Sequence, residues 1–186
     1  MSSKPLSAET RARVLEAAWE RVLANGPGGA SVKDIAAAAG VSRQLVYFHY
    51  GSRAGLLTAM ARHRDERSGF ARAVADGGSL EAILRAWCDY IPEILPVARA
   101  LEAALISGDE GGAAWRDRMG ELHAIFRAAV RRIELSPGWT TETASDWIWA
   151  RLQPSAYAHL VEERAWTHDQ FTEWSVESLM SELTEP

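Results

Sequence analysis

The stretch from Ser31 to Leu57, SVKDIAAAAGVSRQLVYFHYGSRAGLL, spells a helix, a tight turn, a second short helix and the start of a third. Ser31 followed by Asp34 has the spacing of a capping box, which predicts a helix beginning there with Ile35, Ala38 and Ala39 on its buried side. Gly40 ends it, because glycine takes a positive φ without a Cβ penalty and lets the chain reverse. Val41 then fills the angle between the helices, and Ser42 caps a second helix running from Arg43 to about Tyr50. This is the order that sets one helix into the major groove of DNA. An ordinary helical hairpin also fits Ala-Ala-x-Gly-Val-Ser, so spacing alone leaves both readings open.

Charge separates them. Residues 1–64 carry nine Lys and Arg against four acids, a balance of +5, while the rest of the chain stands at −10. No acid occurs from Ile35 through Arg64. A basic patch confined to one third of an acidic chain steers that face to phosphates and keeps the remainder off them.

With these residues in view, the segment resembles the DNA-binding segment of the tetracycline-repressor (TetR) family, Ala-x-x-x-Gly-Val-Ser-x-x-x-(apolar)-Tyr-x-His-Phe-x-x-Lys-x-x-Leu. Here the pattern stands as Ala36, Gly40, Val41, Ser42, Val46, Tyr47, His49, Tyr50, Arg53 and Leu56, with Tyr50 replacing the usual Phe and Arg53 the usual Lys. Both exchanges keep the chemistry, and the Arg fork adds bidentate grip on phosphate. The resemblance spans about Leu6 to Met60. It implies an all-α protein with a three-helix DNA-binding domain over residues 1–51 and a larger effector-binding and dimerisation domain over residues 52–186. It further implies a cytoplasmic homodimer on double-stranded DNA, most simply a repressor released by a small-molecule effector.

On the expected reading helix, Arg43 pairs with guanine O6 and N7, Gln44 with adenine N6 and N7, and Leu45 touches a thymine methyl or fills space. Leu45 departs from the small polar residue common in the family. Tyr47, His49, Lys33 and Arg53 are expected on phosphates, with Ser31 and Ser42 at the helix starts and Phe48 on the same short helix.

Further along, apolar periodicity and punctuation predict helices over Ser52–Ala75, from Leu80, over Trp115–Leu135, Thr140–Glu163 and Thr167–Leu183. Pro92 and Pro96 are expected to bend or restart the chain, and Gly108 to Gly112 to form a loop. Five of the eight tryptophans lie from Trp139 onward. The helix after Thr140 has two apolar faces, one more than a single core needs. A dimer seam is therefore expected through Trp149, Leu152, Ala156 and Leu160, with Phe171, Trp174, Ser175 and Ser178 of the last helix. The resemblance places an effector pocket in the second domain, for which Trp87, Tyr90, Leu101, Trp115, Phe126 and Trp147 are the candidate lining; an aromatic stripe is as readily plain core.

Competing classes find little support. The five histidines show no metal-ligand spacing, the glycine pairs form no phosphate loop, and no GxSxG elbow occurs, so neither enzyme, metal nor cofactor is called for. A DNA-binding architectural protein without effector control remains the alternative. Cys88, the single cysteine, sits among Leu84, Trp87 and Ile91 and reads as a small buried apolar group. No membrane association is expected, since no uncharged stretch approaches a spanning length.

Overall fold

Serine hydroxyls open the helices. The Oγ atoms of Ser7, Ser31, Ser42, Ser52, Ser68 and Ser79 each accept the backbone N–H three residues on, at 3.0–3.2 Å. Each satisfies one of the amide groups that a helix start leaves without a partner. The computed structural model describes residues 6–108 and 111–184, apart from the side chains at 27 and 28. Its elements are α1 (Ala8–Gly29), α2 (Val32–Ala38), α3 (Arg43–Tyr50), α4 (Arg53–Asp65), α5 (Gly69–Ala75), α6 (Leu80–Ser107), α7 (Gly111–Val130), α8 (Thr141–Arg151), α9 (Pro154–Ala158), a π turn (His159–Glu163) and α10 (His168–Leu183). Among the described residues there is no strand, and the all-α expectation holds.

Several boundaries differ from those the sequence suggests. The stretch from Ser52 to Ala75 is two helices, because Ser68 caps a new one at Ala71 N–H. Pro92 and Pro96 lie inside one continuous helix, α6, whose buried run from Leu80 to Ala104 outweighs the two lost backbone bonds. The helix expected over Trp115–Leu135 starts earlier, at Gly111, and ends at Val130. Of the loop expected from Gly108 to Gly112, residues 109 and 110 lie outside the described residues. The segment expected as one helix over Thr140–Glu163 breaks at Leu152, and Pro154 opens α9, where its missing N–H costs nothing. On α2 the buried side is Val32, Ile35, Ala36 and Ala39, with Ala38 exposed.

The chain divides into two compact units, one comprising residues up to Glu66 with Pro96–Arg118, the other Arg67–Leu95 with the residues from Met119 onward. In the first, α1 packs on α2 and α4, and α3 packs on both α2 and α4. Val14, Leu15, Ala18, Ile35, Val46, Leu56, Leu57 and Met60 fill its core. The Arg64 guanidinium lies over the Trp19 ring at 5.1 Å, and Arg118, almost fully buried, pairs with Asp65 at 2.7 Å. At the centre of the second unit Trp87 meets Phe70, Tyr90 and Phe126 edge-on, with ring centroids 5.2, 6.2 and 6.4 Å away, and its indole N–H donates to the Leu152 carbonyl at 2.8 Å.

Candidate nucleic-acid interface

The turn between α2 and α3 is closed by its backbone. Gly40, at φ 67°, donates to Ala37 O at 3.2 Å and Val41 donates to Ala36 O at 2.9 Å. This paired bonding finishes a helix through one left-handed residue and fixes the direction in which the next helix leaves. Nothing stands within 4 Å of where a Gly40 Cβ would lie, so the glycine is there for its φ and not for space.

Beyond the turn, Ser42 caps α3 on Leu45 N–H, Val46 anchors the helix in the core, and Arg43 and Gln44 stand exposed at its N-terminal end. Leu45 is half-buried. Tyr47 and Phe48 are 43% and 64% exposed, large aromatic surfaces that a folded protein seldom leaves to water without a partner. Lys33 is exposed on α2, and Arg53 opens α4 with its Nε donating to Ala30 O at 3.1 Å. The Ser31 hydroxyl accepts from Asp34 N–H at 3.1 Å and donates to the Asp34 carboxylate at 2.5 Å. Its one O–H is therefore taken up inside the cap, and Ser31 N–H goes to Gly29 O, so only half of the expected capping box forms. His49 is half-buried at the end of α3.

The other candidates lie in different environments across the two units. Trp87, Tyr90 and Phe126 are buried together in the second unit, whereas Leu101 and Trp115 are buried in the first. Trp147 is 41% exposed, its indole N–H donating to Glu182 Oε2 at 2.7 Å while Arg151 donates to Glu182 Oε1 at 2.6 Å and to Ser178 Oγ at 2.9 Å. Partial burial alone would raise the Glu182 carboxyl, but the Trp147 and Arg151 hydrogen bonds and the Arg151 charge hold it below the usual carboxylate range. Leu152 and Phe171 are covered by their own chain, Trp149 is half-buried with its indole N–H on Met119 O, and Ala156, Leu160, Ser175 and Ser178 are half-buried. Trp174 is 62% exposed, with the Trp166 ring 6.3 Å away. Burial, with Asp89 beside it, pushes the Cys88 thiol up to about 12, which leaves it protonated and unreactive near neutral pH.

An apolar cleft of about 350 Å³ in the second unit, lined by Val74, Ile83, Ala124, Ile125, Ala128, Ala129 and Arg132, was not legible in the sequence. None of the six candidates, five aromatics and Leu101, lines it. Three of its lining residues are alanines on α7, which carry no aromatic signal.

A basic helix-turn-helix with an exposed Arg-Gln pair on its second helix is the DNA-reading module of a transcriptional regulator. The family pattern described as "Bacterial regulatory proteins, tetR family" matches residues 14–60. The chain is 35% identical over 150 residues to the HTH-type transcriptional repressor LfrR of Mycolicibacterium smegmatis, covering 77% of this chain and 76% of that one. Among solved structures it is similar to native NalD of Pseudomonas aeruginosa, the secondary repressor of the MexAB-OprM multidrug efflux pump, at 24% identity and a TM-score of 0.64 over 97% of this chain and 99% of that one. It is also similar to the transcriptional regulator FadR of Bacillus subtilis in complex with stearoyl-CoA, at 14% identity and a TM-score of 0.64 over 93% and 99%. The chain belongs to the tetR family of bacterial regulatory proteins. No helix among the described residues is long and apolar enough to cross a membrane.

Proposed function

We propose that this chain is a cytoplasmic, homodimeric repressor that holds a palindromic operator and leaves it when a small apolar or aromatic effector binds. Residues 1–51 read DNA and residues 52–186 carry the effector site and the dimer contacts. The observation that carries the reading is the pairing of the Gly40 turn with Arg43 and Gln44, exposed on a helix anchored at Val46. In this account Arg43 and Gln44 reach base edges, and Lys33, Ser42, Tyr47, His49 and Arg53 hold phosphates and sugars. Phe48 lies against the groove wall.

In this account the dimer seam runs over α8, α9, the π turn and α10 around Trp174, with Trp149, Ala156, Leu160, Ser175 and Ser178 about it, while Leu152 and Phe171 stiffen it from beneath. A two-fold pairing makes the seam self-complementary and puts two reading helices on successive major grooves, roughly 34–36 Å apart. The relatives support the effector part: LfrR and NalD are repressors, and the FadR structure contains an acyl-CoA. In this chain the effector site is placed in the second unit, around Trp87, Tyr90 and Phe126 and the neighbouring apolar cleft.

A thermal-shift screen tests this. A compound that raises the melting temperature should also weaken operator binding, since a ligand moves an equilibrium only by its differential affinity for the two states. Stabilising compounds that all leave DNA affinity untouched would contradict effector control and favour an architectural DNA binder.

A further inference from the structure

Behind the reading helix, a cleft of about 480 Å³ opens between α1, α3 and α4, lined by Leu6, Arg11, His49, Tyr50, Gly55 and Ala59. His49 Nε2 and the Tyr50 hydroxyl are both shielded from solvent with no hydrogen-bond partner. Leaving one such group unpaired is costly, and two in the lining of one cleft call for something to meet them. The lining contains no acid, and its one full charge is the Arg11 guanidinium.

Glycine at position 55 is what allows this arrangement: a Cβ there would stand 2.2 Å from the Tyr50 carbonyl oxygen, so α4 begins directly beneath the end of α3. Burial raises the Tyr50 hydroxyl above its ordinary range, against the pull of Arg11, so it remains an O–H donor at neutral pH. Where the family pattern carries Phe, this chain has added a donor and turned it inward.

We propose that this cleft is an oxyanion site that takes a phosphate or phosphate-ester group on the Arg11 guanidinium, the Tyr50 hydroxyl and the His49 Nε2–H. A guanidinium, a phenol and an imidazole N–H offer donors and no carboxylate, which suits a tetrahedral oxyanion and repels a cation. The group has two sources, a backbone phosphate of bound DNA or a free phosphorylated solute. For the first source the inference rests on the DNA-binding reading above; for the second it does not.

The test is imidazole NMR of His49 in the full chain and in Tyr50→Phe and Arg11→Gln. Tyr50→Phe restores the residue common in the family and so keeps the fold. Inorganic phosphate is titrated against chloride at matched ionic strength, and separately a DNA duplex is added. For a free solute, phosphate shifts His49 saturably, and each variant weakens that binding by roughly three- to tenfold. For DNA, the duplex shifts His49, Tyr50→Phe weakens duplex binding by roughly two- to tenfold whatever the sequence, and Arg11→Gln lowers the slope of log K against log salt by about one. If neither probe moves His49 in a way that depends on Tyr50 and Arg11, the cleft holds water only and the proposal is overturned, with the DNA-reading role intact if duplex binding persists. A wild-type phosphate response without binding to any duplex upholds the site and contradicts the DNA-reading role instead.

Discussion

Arg53 Nε donates to the carbonyl of Ala30 at 3.1 Å, tying the first residue of α4 to the residue just before the Ser31 cap of α2. A lysine has a single nitrogen with which to hold that carbonyl or meet a phosphate. A guanidinium carries donors on three nitrogens, so the two tasks do not exclude each other. The exchange of the usual Lys for Arg thus fixes how α2 and α4 start relative to one another within the DNA-reading unit.

Arg53→Gln should lower stability by about 1 to 2 kcal/mol, the worth of a charge-assisted bond partly open to water. Duplex binding should also fall by a similar factor for every sequence, as expected of a phosphate contact. Urea unfolding and duplex titrations measure the two effects. Stability equal to wild type would show that the Ala30 contact contributes nothing.

Arg43→Ala should cost roughly 1 to 3 kcal/mol of operator binding and relax preference at one position of the half-site. Sites selected by wild type and variant are compared, and an unchanged preference removes Arg43 from the reading set.

Caps made the DNA-reading unit legible. Ser31, Gly40 and Ser42 set the ends of α2 and α3 through hydrogen bonds three residues long, and such local chemistry is written in the sequence. Ser68 carries the same signal, but the apolar period runs on through Leu57, Met60 and Phe70 and masks it. Pro92 and Pro96 sit inside a helix for a different reason. Their local cost was clear, but the burial that keeps α6 whole comes from partners far along the chain, as where the Trp87 indole meets Leu152, 65 residues away. The site candidates divide in the same way. Arg43 and Gln44 are exposed by helical geometry alone, while no spacing rule brings Arg151 and Trp147 to Glu182, or Arg11 to Tyr50.

Glu182 makes the second unit sensitive to acid. Its carboxyl titrates below the usual range in the folded chain, so it contributes stability that is complete above the unfolded value of about 4.3 and is lost as pH falls through the lower folded value. Glu182→Gln should flatten the loss of stability on the acid side of that value and leave the neutral-to-alkaline profile parallel to wild type. Thermal melts from neutral pH down to the acid limit of folding measure it. A variant that keeps the full acid-side slope would place the sensitivity elsewhere.

Trp174→Glu should separate the two chains while helical circular dichroism stays as in wild type, because the side chain is 62% exposed within one protomer. Phe171→Glu, three residues earlier and fully buried, should instead unfold the chain, since an unpaired charge in a core costs several kcal/mol. Sedimentation velocity distinguishes them, and a Trp174→Glu protein that still sediments as a dimer would move the seam off this face.

The most direct test of the central claim is selection of duplexes from a random pool by the purified chain, followed by sedimentation of the complex. The account predicts an inverted repeat whose half-sites lie about 10 base pairs, or a multiple of that, apart, bound by two chains and at least 10³-fold more tightly than random duplex at physiological salt. Enrichment of no sequence, or tight binding of a single half-site by one chain, would contradict it.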